Sequence, residues 1–256
     1  MKNSSPRRNS AVTLIEIILV LGTFAILAAL LLPALARAGS RTGHRTLNCV
    51  SNLKQIGLGW LTWMHDHEFG ELPFRVQVAN GGTLGSTDTL KNNAWFQFSA
   101  ISNELNSPKI LVCPEDKGVG QARRIATHWD PTDTNGGFMS PGFRHRATSY
   151  TIGLDVAQSA VLEDPGSRIL GSDRNILFDT GNGGCSSGIT DTRSVRVKGK
   201  NGQNSSATAA WTDAIHRSRG NVLSLDGSVQ QTNTRELDSL CDLSDDNGNI
   251  HFLVPK

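Results

Sequence analysis

Thr13-Leu14-Ile15-Glu16-Ile17-Ile18-Leu19-Val20-Leu21-Gly22-Thr23-Phe24-Ala25-Ile26-Leu27-Ala28-Ala29-Leu30-Leu31-Leu32-Pro33-Ala34-Leu35-Ala36 carries a single charge, on Glu16. From Ile17 to Leu35 no residue ionises. At ~1.5 Å per residue that stretch makes a helix of about 28 Å, close to the ~30 Å hydrocarbon core, so it reads as a transmembrane span. A carboxylate inside such a run costs several kcal/mol unless partnered, which marks Glu16 as functional rather than incidental. Lys2, Arg7 and Arg8 precede the run with no acid among residues 1–11, the layout of a short basic leader.

Beyond Pro33, Arg37, Arg41 and Arg45 recur at every fourth residue as a basic stripe. Cys49, Leu53, Ile56, Trp60 and Trp63 follow at spacings of four and three, an apolar seam on a continuing amphipathic helix. Gly39, Gly43, Gly57 and Gly59 each weaken that helix by ~1 kcal/mol relative to Ala. Gly70 and Pro73 then end it.

From residue 70 onward Gly, Asn, Ser, Thr and Asp dominate, and short β-forming runs separated by turns predict a β-rich domain. Ile110–Cys113, Thr148–Ile152 and Arg168–Gly171 are the predicted strands. Gly220–Leu225, then Asp226-Gly227, then Ser228–Gln231, is a hairpin with an expected type I′ turn. Residues 78–93, 128–143 and 180–208 read as loops.

Ala11-Val12-Thr13-Leu14-Ile15-Glu16 resembles the type IV prepilin cleavage and methylation motif. Counted from Val12, Glu16 is fifth and Pro33 twenty-second, positions at which that family has its Glu and often a helix-kinking Pro. Ala11 and Val12 depart from the family's usual Gly and Phe. Three further features are similar to those of a planctomycete and verrucomicrobial family of pilin-like proteins: Asn48-Cys49 through Leu58, Cys113-Pro114, and Ser149-Tyr150. That family's H-x9-DG motif is matched by His216, Asp226 and Gly227.

The resemblance implies an α+β pilin-like fold in four parts: leader 1–11, transmembrane and assembly helix 12–36, amphipathic continuation 37–69, and periplasmic β-rich domain 70–256. It implies no enzyme but a pilin or pseudopilin of a type II secretion or type IV pilus-like filament. The partners would be prepilin peptidase cutting between Ala11 and Val12, other pilin-like subunits, the inner membrane and an assembly platform. Glu16 would pair with a neighbouring subunit's amine. The rival is a membrane-anchored binding module that uses the helix for export alone.

Other chemistry is weakly signalled. His216 and Asp226, with Ser218 or Ser224, invite a catalytic triad, but no nucleophile-elbow pattern accompanies them, and Asp226 suits the turn itself. Asp242, Asp245 and Asp246 have the composition of a calcium loop without EF-hand spacing, with a solvated acidic turn as the alternative. No other cofactor is expected. Cys49, Cys113, Cys185 and Cys241 allow three disulfide connectivities or buried free thiols, and lack the C-x-x-C spacing of zinc sites. The net charge of +2 less the leader's three cations leaves about −1, which argues against nucleic acid as a partner. Arg123-Arg124 and Arg144 with Arg146 are the remaining basic clusters.

Overall fold

A computed structural model of the chain describes residues 13–38, 41–67, 70–118, 120–156, 164–178, 189–196, 209–243 and 249–256. Within a few helix and strand segments only the backbone is described. The leader, with Ala11 and Val12, lies outside the described residues, as do Cys185, Asp245 and Asp246. The chain divides into two units, residues 1–44 and 45–256.

The first unit contains helix α1, Leu14–Ala38, which runs through Pro33. Thr13 starts it: its hydroxyl accepts the Glu16 N–H at 3.4 Å, while Glu16 Oε2 accepts the Thr13 N–H at 3.3 Å. This reciprocal pair is a capping box, and it satisfies two of the donors that every helix start leaves without intrahelical partners. Glu16 therefore has a local task before any partner is considered. The large apolar side chains Leu14, Ile15, Ile17, Ile18, Leu19, Val20, Leu21, Phe24, Ile26 and Leu27 are exposed, from 49% at Val20 to 76% at Leu14.

The transmembrane assignment of 12–36 is corrected by the structure. Among the described residues no helix is long and apolar enough to cross a membrane. The part of α1 whose side chains are described beyond Glu16 ends at Ala29. That stretch rises about 20 Å at ~1.5 Å per residue, short of the ~30 Å a span requires. The single-pass inner-membrane placement and the membrane-linked descriptors that rested on it fall with it.

Helix α2, Arg41–Asp66, belongs to the second unit from Arg45 onward, and there presents its seam to the core. Cys49, Leu53, Ile56, Trp60 and Trp63 are all at most 2% exposed. Two glycines read as helix weakeners are close-approach positions instead. A Cβ on Gly57 would stand 2.6 Å from Leu223 Cδ1, and one on Gly59 2.5 Å from Leu105 Cδ2. The ~1 kcal/mol of helix propensity lost at each allows α2 to sit tightly on its neighbours. Short helices α3 (Asp88–Lys91), α4 (Ala94–Ser99) and α5 (Ser102–Leu105) follow.

Among the described residues eight strands come next: β1 Tyr150–Gly153, β2 Ile169–Asp173, β3 Ile176–Leu177, β4 Arg193–Arg196, β5 Ala210–Trp211, β6 Gly220–Ser224, β7 Val229–Thr232 and β8 Asn249–Leu253. Six form an antiparallel sheet in the order β4-β8-β1-β2-β6-β7, and β3 pairs with β5. The architecture is α+β. Strands β1, β2 and β6 are buried along their whole lengths because both faces of the sheet are covered. On one face Ile152, Leu170, Leu223 and Leu253 join the α2 seam. On the other, Ile169, Val222, Ile250 and Phe252 pack with Leu237 and Cys241 of helix α6, Thr234–Leu243. Helix α6 has its own capping box: Asn233 Oδ1 accepts the Arg235 and Glu236 N–H groups, and Glu236 Oε2 accepts the Asn233 N–H.

Two local expectations are corrected. Ile110–Cys113 is not a strand: Pro108–Leu111 is a 3-10 turn whose start is fixed by Pro108 and by Ser107, whose side chain accepts the Lys109 N–H. The 220–231 hairpin forms, but its turn is not type I′. Gly227 alone in the loop has positive φ (80°), Gly227 N–H bonds Ser224 O, and Ser224 pairs across to Ser228. The loop is thus the three-residue type I turn with a glycine bulge.

Candidate functional site

A buried polar cluster in the second unit surrounds His216, whose side chain is 1% exposed. It forms where four segments meet: α2 at Cys49, the Cys113-Pro114-Glu115-Asp116 loop, the end of β2 at Asp173, and the start of β6 at Asn221. Cys49 and Cys113 form a disulfide, Cα to Cα 5.1 Å, which ties the seam of α2 to the loop. Asn52, one helical turn on, adds a bond from its amide to Val112 O at 3.2 Å.

Asp116 anchors the loop from below. Arg174 grips its carboxylate through two contacts of 2.7 Å, Arg123 Nε lies at 2.9 Å, and the Gly118 N–H donates at 2.8 Å. Burial pushes the Asp116 carboxyl up, but the Arg174 hydrogen bonds and the charges of Arg123 and Arg174 outweigh it and hold it below the ordinary range. Asp116 is thereby charge-matched within the fold.

His216 is presented by an unusual backbone. His216, Arg217 and Ser218 have φ of 55°, 50° and 57°, a left-handed turn of three non-glycine residues. Each such residue costs roughly 1–2 kcal/mol, and strain of this kind persists where surrounding structure imposes it. Asn175 does the imposing: its side-chain amide bonds Thr212 O and Ile215 O at 2.9 Å and Arg219 O at 3.0 Å. Two N–H groups thus hold three carbonyls on both sides of the turn.

The imidazole is bracketed by acids. Nδ1 lies 3.0 Å from Glu115 Oε2 and 3.5 Å from the Thr46 hydroxyl. Nε2 faces Asn221 Nδ2 at 3.3 Å, Asp173 Oδ2 at 3.3 Å and Cys113 Sγ at 3.4 Å. Glu115 Oε2 suits a proton on Nδ1, while at Nε2 the Asn221 amide, a donor, suits a lone pair and Asp173 Oδ2, an acceptor, suits an N–H. Burial lowers the His216 pKa against the opposing pull of Glu115. Burial also raises Asp173 to about 7, although Asn221 donates to its Oδ2 from both backbone and side chain. Asp173 Oδ1 and Asn221 Oδ1 have no hydrogen-bond partner.

The structure separates the pair that the sequence motif brought to mind. Asp226 is exposed and accepts the Ser228 N–H at 2.8 Å in the β6–β7 turn, whereas the acids at His216 are Glu115 and Asp173. Ser218 bonds Asp213, and no serine hydroxyl is among His216's partners. The geometry of a Ser-His-Asp triad is therefore not present here. Cys241 is a free buried thiol in α6, pushed up to about 12 by burial. Asp242 is half-buried at the end of α6, and Glu16 and Pro33 belong to the other unit.

The chain matches no known protein family, no curated protein and no solved structure. The chemistry of the His216 site is that of a buried imidazole whose Nε2 lies 3.4 Å from a disulfide sulfur, with carboxylates on either side. Glu115, Asp116, Asp173 and Asn221 escaped the sequence reading. The acids directly after Cys113-Pro114 were a usable signal for the first two. Asp173 and Asn221 carry none, since each reads as the polar end of an apolar strand.

Two surface clefts are also present. One of about 350 Å³ runs between α2 and the loop, lined by Asn48, Ser51, Asn52, Lys109, Val112 and Ile125 among others. The other, about 330 Å³, is lined by Arg123, His145, Arg146 and Lys256 with Gln121, Pro141 and Phe143. Its arginines, and the neighbouring ones singled out from the sequence, make intramolecular contacts. Arg124 stacks 4.5 Å from the Phe143 ring, Arg144 lies 4.5 Å from that of Trp95, and Arg146 donates to Ala122 O. Burial, then the charges of Lys256, Arg144 and Arg123, lower His145 to about 4.

A folded-state pKa below the unfolded value of about 6.5 means that unfolding takes up a proton as pH falls. Stability supplied by neutral His145 is complete above pH ~6.5 and is lost as pH drops towards ~4. Urea titrations across that window should show His145→Gln declining less steeply than the parent, by on the order of 1 kcal/mol after solvent screening. Parallel declines would remove His145 from the acid response.

Proposed function

We propose that this chain is a structural subunit of a pilin-like filament, of pilin or pseudopilin type, assembled through α1 after a prepilin peptidase removes residues 1–11. The observation that carries this reading is the exposed apolar surface of α1 between Leu14 and Leu27. Ten large apolar side chains between Leu14 and Leu27 are exposed, and they lie on every side of the helix. A helix apolar all round is a helix to be covered all round, and a patch of this extent marks an interaction surface. Each such side chain removed from water contributes about 1.5–3 kcal/mol, so packing α1 against the α1 helices of other copies supplies the driving force for assembly.

The single acid fits the same picture. Glu16 caps its own helix through Thr13, and in a chain beginning at Val12 it is the fifth residue, four along the sequence from the new amino terminus. In a bundle of parallel copies, the carboxylate of one subunit meets the amine of another, a desolvated pair that sets the stagger between subunits. The β-rich unit, cross-linked by Cys49–Cys113, is the part displayed.

Processing is tested by sequencing the amino terminus of the full chain co-expressed with an active or an inactivated prepilin peptidase. The expected result is a start at methylated Val12 with the active enzyme and at Met1 with the inactivated one. A start at Met1 in both contradicts the proposal.

A further inference from the structure

We propose that, when its disulfide is reduced, this chain binds a thiophilic divalent cation of the Zn2+ class through Cys49 Sγ, Cys113 Sγ and His216 Nε2. The ligand atoms of these three buried residues already lie within 4.8 Å of one another, from segments more than sixty residues apart in sequence. Two thiolates and an imidazole are a donor set that zinc prefers.

Three features beyond proximity point to a cation. First, the imidazole is oriented as a ligand. Glu115 Oε2 stands 3.0 Å from Nδ1, where it holds a proton on that nitrogen, and Nε2, 3.4 Å from Cys113 Sγ, is the nitrogen that the neutral ring would offer a cation. A carboxylate behind a metal-binding histidine is the usual supporting arrangement, and it also raises the basicity of the ring. Second, a fourth donor is at hand. Asp173 Oδ2 lies 3.3 Å from Nε2, and its Oδ1 is fully buried with no hydrogen-bond partner. Third, the local charge is unbalanced. Asp116 is matched by Arg123 and Arg174, whereas among the described residues no arginine or lysine pairs with Glu115 or Asp173. A divalent cation would supply the missing positive charge.

The chemistry balances in two steps. A trialkylphosphine gives two electrons to the S–S bond, water delivers its oxygen to phosphorus and one proton to each sulfur, and the products are two thiols and a phosphine oxide. The cation then displaces both thiol protons, which leave to solvent, and neutral His216 binds through Nε2 with no proton released. The bound cation would hold α2, the Cys113 loop and the left-handed turn together in place of the disulfide. This site does not rest on the assembly role of α1.

The test uses the full chain, phosphine-reduced and titrated anaerobically with Co2+ alone, then with Zn2+ as competitor. The expected result is one Co2+ per chain, with thiolate-to-metal absorption and tetrahedral ligand-field bands that Zn2+ abolishes, and no such bands from the oxidised chain. Glu115→Gln, which can still accept the Nδ1 proton, should fold and bind about 10–100-fold more weakly. His216→Asn should lose the site. A reduced chain without the thiolate band, an oxidised chain that binds equally, or Glu115→Gln and His216→Asn chains that both bind with parental affinity overturns the proposal.

Discussion

Cys113→Ser is expected to cost about 4 kcal/mol of folding stability. The Cys49–Cys113 bond joins residues 64 apart, and cross-linking a loop of that size removes unfolded-state entropy worth roughly that amount. The substitution also strips the bond that clamps the α2 seam onto the loop carrying Glu115 and Asp116. Urea unfolding in the presence of a chelator should show the same loss for Cys113→Ser, for Cys49→Ser and for the phosphine-reduced parent. A deficit below about 1 kcal/mol in all three would mean that the disulfide is not what ties these segments together.

Asp116→Ala is expected to be similarly damaging, by about 3–5 kcal/mol, because it leaves two guanidinium groups facing each other with no counter-ion. The side chains of Arg123 and Arg174 are 8% and 12% exposed, and the Gly118 N–H loses its acceptor as well. Asp116→Asn keeps the shape and part of the hydrogen bonding and should fall between the parent and Asp116→Ala. Arg124→Ala, which removes one exposed stacking contact on Phe143, should cost no more than about 1 kcal/mol. Denaturant midpoints for the three variants give the ranking directly. An Asp116→Ala chain as stable as Arg124→Ala would contradict the anchoring role.

What was legible in the chain follows the range of the interactions concerned. The α2 seam could be read because helical periodicity is local, and every seam residue is in fact buried. The β6–β7 hairpin could be read from Asp226-Gly227, but not its loop length, which depends on where cross-strand pairing stops. Ile110–Cys113 has strand-like composition, yet Pro108, two residues before it, imposes a 3-10 start. Helix α6 went unread, although Asn233 and Glu236 carry the capping-box spacing.

The same distinction governs the two units' key residues. Glu16 was read through its surroundings as a buried charge, while the Thr13-x-x-Glu16 spacing also encodes a cap. Cys49, Cys113 and His216 were each visible as residue types that seldom sit idle, but their meeting point was not. His216 finds Glu115 across 101 residues rather than Asp226 across ten. The spacing between His216 and Asp226 reflects the length of β6 and its turn, with the histidine at the base of the strand and the aspartate at its tip.

Assembly through α1 is open to in-cell photocrosslinking from position 24, using the full chain expressed with its processing enzyme and a photoreactive residue replacing Phe24. Homo-adducts from one copy's α1 to another's are expected, retained by Glu16→Gln, which keeps the cap and weakens the amine pairing, and lost in Glu16→Lys, which sets two cations against each other. A chain that yields no homo-adduct, or whose adducts are indifferent to Glu16→Lys, would contradict assembly through this helix.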